Sequence, residues 1–226
     1  MKLLIHTCCA DCALKMEQSF FQAVNKHDLN LAKQSEDKLT NQDEMLKQQK
    51  TDIESPNRKF ADIKNPNFVK MPGEMLFYFA NDNIHPRSEW LSRYRALKKI
   101  AKERNWKIAV KNYRPSDYFE HILSLGNFPE ESQRCPVCWR LRLKNSFNYA
   151  AAHEFDLVTT TLLSSHYQAS KIITRIAEDI AQQYPQVDFW QPPQINKDSE
   201  FKGFYKQNYC GCAFSLVERM REKYKK

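Results

Sequence analysis

A chain of 226 residues, 42% hydrophobic and 27% charged, is long enough for one ample domain or two small ones and too apolar to be wholly disordered. No run of eighteen apolar residues occurs, which excludes a membrane-spanning helix. The opening Met1–Thr7 is too short and too polar for an export signal, so a cytoplasmic protein is expected. The net charge of +8 is concentrated: residues 87–111 carry nine basic groups against two acidic, and residues 197–226 carry eight against four. Two such concentrations suit a polyanionic partner, nucleic acid first, and equally suit two solvated helical faces.

Along the chain, Leu3–Thr7 reads as a first strand, followed by a helix. The rhythm then breaks. Between Asn30 and Asn57 there is no aromatic residue and no valine, and Leu31, Leu39, Leu46 and Ile53 recur only every seven or eight positions. That is enough for a lone surface helix and too little for a core. Residues 26–72 therefore read as a polar, mobile insertion within a single domain spanning 1–226, without chemistry of its own. Met75–Ala80 is a second strand. Arg87–Arg104 is helical, with Trp90, Tyr94, Leu97 and Ala101 on one face and Arg93, Arg95, Lys98, Lys99 and Lys102 directed elsewhere. Pro86 and Ser88 suit its start and Asn105 its end. Trp106–Val110 is a third strand and Phe155–Leu163 a fourth, separated by a helix over Cys138–His153 that presents Trp139, Leu143, Phe147 and Ala150. Strands alternating with helices predict an α/β fold, a parallel sheet flanked by helices.

The seven cysteines fall in three groups: Cys8-Cys9-Ala10-Asp11-Cys12, Cys135-Pro136-Val137-Cys138 and Cys210-Gly211-Cys212. An odd number without an export signal argues against a disulfide framework and for metal binding or redox chemistry. Cys8, Cys9 and Cys12 follow the first strand directly, at the sheet edge where ligands bind in parallel α/β folds. Cys135 and Cys138 sit at a helix start, where the dipole favours thiolates. Gly211 permits a tight turn before the last helix. Adjacent thiols are awkward as a zinc knuckle but can reach different irons of one cluster, so Cys8, Cys9, Cys135 and Cys138 suit a 4Fe–4S cluster; zinc and thiol redox chemistry stay open on spacing alone. His6, His85, His166 and Asp11 are placed to supply a proton, although a structural hydrogen bond is the simpler role for each histidine. Trp90, Trp106, Trp139 and Phe147 suit interiors, while Tyr167, Tyr205 and Tyr209 flank the cysteines and can stack on an extruded base.

These motifs, in order, resemble the QueH-type epoxyqueuosine reductases, cobalamin-independent enzymes of queuosine synthesis in tRNA. The resemblance rests on Leu4-Ile5-His6-Thr7-Cys8-Cys9-Ala10-x-Cys12, on Phe79-x-Asn81-x-Asn83-Ile84-His85-Pro86, and on Arg134-Cys135-x-x-Cys138 with Leu141-Arg142-Leu143. It continues in Phe155-Asp156-x-x-Thr159-Thr160-Thr161-Leu162-Leu163 and Tyr205-x-Gln207-Asn208-Tyr209-Cys210-Gly211-Cys212-x-Phe214-Ser215. It implies a HUP-like nucleotide-binding α/β fold, an iron–sulfur cluster, and reduction of the cyclopentane epoxide of epoxyqueuosine to the alkene at the tRNA wobble position. By motif position, Cys8, Cys9, Cys135 and Cys138 are the implied cluster ligands and Cys210 and Cys212 the implied redox-active pair. Asp11 with Cys12 would serve a second metal, an additional mononuclear iron, and Asp11 is a further catalytic candidate. The implied partners are tRNA carrying epoxyqueuosine and an electron donor that the residues do not name. Positions 11 and 82, often proline in the family, are both Asp here. The rival readings are a tRNA thiolase and a zinc-stabilised RNA-binding module. A thiolase needs a glycine-rich phosphate loop after the first strand, and none of Gly73, Gly126, Gly203 and Gly211 lies there.

Overall fold

The computed structural model describes residues 1–23, 72–125, 133–166, 168–192, 195 and 200–224. The expected insertion at 26–72 therefore lies, Pro72 apart, outside the described residues, as does Tyr167. The first strand, β1 (Lys2–His6), is apolar on both faces: Leu3 and Ile5 enter one core cluster and Leu4 the other. Such a strand belongs at the centre of a sheet covered on both sides. It pairs in parallel with β2 (Glu74–Phe79) and β4 (Leu157–Thr160); β3 (Lys107–Val110) lies outside β2 and β5 (Asp188–Phe189) outside β4. The order is β3-β2-β1-β4-β5, all parallel.

Helix α1, described over residues 10–23, and α2 (Arg87–Arg104) cover one face, burying Ala13, Met16, Phe20, Trp90 and Leu97 against Leu3, Ile5, Phe77 and Phe79. On the other face α4 (Arg134–Ala152) and α5 (Ser170–Ala181) bury Trp139, Leu143, Phe147, Ile173, Ile176 and Ile180 against Leu4, Tyr78 and Val158. This is the expected α/β architecture. Two shorter helices, α3 (Pro115–Ile122) and α6 (Ala213–Tyr224), meet through Tyr118, Ile122 and Phe214 around Cys138 and Cys212. No helix among the described residues is long and apolar enough to cross a membrane.

Helix α2 begins and ends where the sequence places it, with Asn105 closing it in the left-handed conformation at φ 55° and its N–H bonded to the Ala101 carbonyl. Trp90, Trp139 and Phe147 are buried, and Trp106 stacks on Phe77, as interior aromatics should. Three expectations are corrected. The fourth strand stops at Thr160, whose hydroxyl accepts the Leu162 N–H at 3.1 Å and starts a 3-10 turn over Thr161–Ser164. Helix α4 starts at Arg134, so both cysteines of the C-x-x-C lie inside its first turns. Arg93 points inward rather than to solvent: it is 1% exposed and pairs with Glu89 one turn earlier at 2.6 Å. The two-residue β5 is too short to leave any period in the sequence.

Candidate functional site

On either side of β1 the chain connects outward in opposite directions, to β2 and to β4, so the carboxyl ends of β1 and β4 form the crevice at which ligands bind in such sheets. The residues there are His6-Thr7-Cys8 and Thr160-Thr161. The Thr161 hydroxyl accepts the Cys8 N–H at 3.1 Å and donates to the Cys8 sulfur at 3.4 Å. Cys9 immediately precedes the helical residues of α1, and its sulfur accepts the Cys12 N–H at 3.5 Å, the contact an N-capping side chain makes. The Cys8 and Cys9 sulfurs lie 3.9 Å apart, and the buried sulfurs of Cys8, Cys9 and Cys12 all lie within 4.8 Å of one another, a geometry that can hold a metal ion.

These three thiols share protons unequally. Hydrogen bonds from Cys12 and Cys9, with Arg142 and Thr161 nearby, hold Cys8 well below the ordinary thiol value despite burial. Cys12 pulls Cys9 down, but the bond to Cys8, burial and the Cys8 charge push it up to about 12. Cys12 is raised by its bonds to Cys8 and Cys9 and by burial. Of the three, only Cys8 is drawn below the ordinary thiol value, and a metal that takes all three sulfurs must displace the protons favoured on Cys9 and Cys12.

Asp11 lies outside that sulfur group. Lys15 and Lys206 each hold its carboxylate at 3.1 Å. Asp82, the other departure at a family proline, accepts from Lys111 Nζ at 2.6 Å and from the Arg114 N–H at 2.8 Å, which joins the loop after β2 to the start of α3.

The second and third cysteine groups meet. Cys138 and Cys212 belong to one apolar cluster with Tyr118 and Ile122, whereas Cys135 packs against the core under α4. Burial raises the Cys138 thiol to about 12 against the pull of Arg142. Cys212 behaves in the opposite way. It directly precedes α6, its sulfur accepts the Ser215 N–H at 3.3 Å, and a bond from Cys210, then Ser215 and Arg134, lower it to about 5 against burial. Its partner Cys210 is raised, first by its bond to Cys212 and then by burial. The Cys210 sulfur also accepts from Gln168 Nε2 at 3.3 Å, and Gln168 is itself held by Trp139 Nε1. None of the seven cysteines is in a disulfide.

Three buried arginines tie the groups together. Arg142 lies close enough to Cys8, Cys138, Cys210 and His6 to shift each of them, and its Nη2 donates to Asn81 Oδ1 at 2.7 Å. Arg134 influences Cys212, pairs with Glu218 at 2.7 Å and lies over the Phe214 ring. Arg93 donates to the Cys210 and Tyr209 carbonyls at 3.1 and 3.3 Å. Charge of this sign in a dry interior suits an anionic centre. Residue pattern named Arg93 on the helix and Arg134 and Arg142 within the motifs but gave none of them a part in the site, and Gln168 was not singled out. The available signals were the Glu89–Arg93 spacing of four and the arginines flanking the C-x-x-C on the same helix.

Arg93 also explains Gly211. Its φ is +114°, and a Cβ there would lie 2.7 Å from the Arg93 Nη2. Gly211→Ala is expected to cost about 1–3 kcal/mol in backbone strain alone, and more as the guanidinium is displaced. Thermal unfolding should show a fall of several degrees, and an unchanged midpoint would mean that the turn relaxes freely.

Of the histidines, His6 is fully buried, its Nδ1 is 2.9 Å from the Thr160 hydroxyl, and burial followed by Arg142 lowers it to about 3. It is neutral at physiological pH, which removes the imidazolium that a proton-donating role would use. Its folded pKa is depressed, so its contribution to stability is present above pH 6.5 and is lost as pH falls towards 3. Between pH 6 and 4 this adds a slope of about 1 kcal/mol per pH unit. Urea midpoints should lose that slope in His6→Asn. His85 Nδ1 meets the Asn83 carbonyl at 2.9 Å, and Tyr209 donates to the His85 carbonyl at 2.8 Å, so both brace the Cys210–Cys212 turn.

Comparison with known proteins follows this geometry. The epoxyqueuosine reductase QueH family profile matches residues 65–218, which contain the second and third cysteine groups. Proteins named epoxyqueuosine reductase QueH are similar over much of the chain. That of Acinetobacter baylyi is 28% identical over 64% of this chain and 70% of its own length. That of Haemophilus influenzae is 28% identical over 63% of this chain and 62% of its own. That of Thermotoga maritima is 29% identical over 66% of this chain and 82% of its own. The chain thus spans less than two thirds of the Haemophilus relative. The first cysteine group lies before the matched span, but β1 delivers it between β2 and β4, which lie inside it. With the match covering most of the sequence and its cysteines lying beside the crevice that β1 opens, the chain belongs to the epoxyqueuosine reductase QueH family.

Proposed function

We propose that this protein reduces the epoxide of epoxyqueuosine in tRNA to the alkene of queuosine. The observation that carries this reading is the family match over residues 65–218 together with the placement of Cys212, from the Cys210–Gly211–Cys212 turn, in one buried cluster with Cys138 and Tyr118. Removing an epoxide oxygen as water takes two electrons and two protons. Oxidation of the Cys210–Cys212 dithiol to a disulfide releases two of each, so epoxide plus dithiol gives alkene, water and disulfide, and an external reductant then restores the dithiol. In this scheme Cys212 is drawn towards the thiolate and Cys210 keeps its proton, so with Cys212 ionised the pair supplies one proton and the second comes from solvent.

The residues fit the implied iron–sulfur group. Thiols at Cys8, Cys9, Cys135 and Cys138 would hold the 4Fe–4S cluster, and the three buried arginines would balance its negative charge. Arg142 influences both Cys8 and Cys138, which supports their serving one centre. When bound, the cluster would supply single-electron transfer, and the additional mononuclear iron, with an open position, would supply a Lewis acid. Cys12 is left for a second, mononuclear iron; Asp11 could join it only by releasing Lys15 and Lys206. Thiol chemistry on tRNA suits a cytoplasmic setting.

For the tRNA, Arg95 and Lys99 of α2 line a shallow groove with Ser92, Gly203, Phe204 and the exposed Tyr205, and Lys98 and Lys102 are exposed on the same helix. Phosphates would follow the cations while Tyr205 offers a ring for stacking. Lys98, Lys99 and Lys102 changed together to Ala are expected to lower the slope of log affinity against log salt by about 2, at 0.7 or more per phosphate contact. An unchanged slope returns these lysines to a solvated face. The function itself is tested by anaerobic incubation of iron-loaded protein with epoxyqueuosine-containing tRNA and dithionite, followed by nucleoside analysis. Queuosine should appear. Its absence, or tightly held zinc in place of iron with sulfide after anaerobic purification, would overturn the reading.

A further inference from the structure

A cavity of about 260 Å³ opens beside the thiols, between the loop after β2, α3 and α4. Asp82, Asn83, Asp117, Tyr118, Arg142 and Asn145 are among its walls. Two of them also belong to the cysteine centre: Tyr118 packs on Cys138 and Cys212, and Arg142 influences Cys8, Cys138 and Cys210. A group held in this cavity is therefore next to the reactive sulfurs.

The cavity has unspent polar capacity. Asn83 is 1% exposed, yet neither its Nδ2 nor its Oδ1 has a hydrogen-bond partner, and the Arg142 Nε is likewise unpartnered. Burying an amide unpaired is costly, and a ligand carrying both a donor and an acceptor recovers that cost. Lys111 is shared by Asp82 at 2.6 Å and Asp117 at 3.3 Å, and with Glu120 the three carboxylates outnumber Lys111 and Arg142, a balance that disfavours phosphate. A cavity of this volume has room for a five-membered carbocycle with its hydroxyls.

We propose that this cavity is the subsite for the hydroxylated five-membered ring of the substrate, with the Asn83 amide reading adjacent ring oxygens and Arg142 closing the side nearest the sulfurs. Adjacent hydroxyls each donate and accept, and a primary amide matches that pattern with Nδ2 and Oδ1 together. The backbone groove on α2 and this ring subsite would then divide recognition: one takes phosphates, the other the modification.

This inference rests on the reductase reading, and the test separates the two. Wild-type protein is titrated with tRNA carrying queuosine, whose ring keeps the hydroxyls, and with the same tRNA carrying guanine. Wild type should prefer the modified tRNA by about tenfold or more, the range of one or two well-made buried hydrogen bonds. Asn83→Leu, which removes only an unpartnered amide, should abolish the preference and leave the affinity for unmodified tRNA unchanged. Asn145→Trp, which fills the cavity from the half-buried side of α4, should do the same and guards against misfolding of the first variant. Preference retained in both variants, with epoxide reduction intact, overturns the subsite and leaves the reductase reading standing. Wild-type protein that neither prefers the modified tRNA nor reduces the epoxide overturns both.

Discussion

Arg93→Met is expected to lower stability by about 3–5 kcal/mol, because it leaves Glu89 as a buried charge without its cation. Glu89 is 8% exposed, and its remaining neighbour is the Tyr205 hydroxyl, which cannot neutralise it. The same change removes the donors to the Tyr209 and Cys210 carbonyls, so the Cys210–Gly211–Cys212 turn loses its anchor on α2. At 2–4 °C per kcal/mol for a chain of this size, the thermal midpoint should drop by roughly 10 °C. Arg93→Lys keeps the charge but not the fork of donors, and should recover only part of the loss. Glu89→Gln combined with Arg93→Met removes the stranded charge and should be more stable than Arg93→Met alone. A single-variant loss below about 1 kcal/mol would show that water reaches Glu89 and that the pair is no clamp.

The second large effect separates the cysteines by role. Cys8→Ser, Cys9→Ser, Cys135→Ser and Cys138→Ser should each bleach the anaerobically purified protein and strip most of its iron and sulfide. Cys210→Ser and Cys212→Ser should keep the brown colour and lose epoxide reduction by a hundredfold or more, since neither can close the disulfide. Cys12→Ser should remove at most the single additional iron. Asp11→Asn is expected to match it only if the carboxylate leaves Lys15 and Lys206 for that metal; retention of all iron assigns Asp11 to its lysines. A Cys212→Ser protein as depleted of iron as Cys135→Ser would sink the division into ligands and redox pair.

Much of the architecture was legible from residue pattern. The doubly apolar β1, the capped amphipathic α2 and the alternation of strands and helices are local signals, governed by side-chain period and by the conformations open to Pro86 and Asn105. The cysteine motifs were likewise visible, with the place of the first group after β1, because a strand end is defined by its own sequence. Burial was less legible. Arg93, in a helix rich in exposed cations, is marked locally only by Glu89 one turn earlier; its enclosure comes from the C-terminal segment, whose Tyr209 and Cys210 carbonyls it binds, while Arg95 stays solvated.

The sequence by itself determined the fold class, the three thiol groups and the family, since each depends on residue types at fixed spacing. The tertiary structure alone decided how the groups differ chemically. Burial pushes the Cys138 thiol up to about 12 although it lies in the first turns of a helix, while Cys212, just before α6, is drawn down to about 5 because Cys210, Ser215 and Arg134 converge on it. The joining of Cys212 to Cys138, the encirclement by Arg93, Arg134 and Arg142, and the cavity with an unspent Asn83 were likewise decided only in three dimensions. The physical reason is common to all: desolvation and charge act through space on groups far apart in the chain, and no local spacing records them.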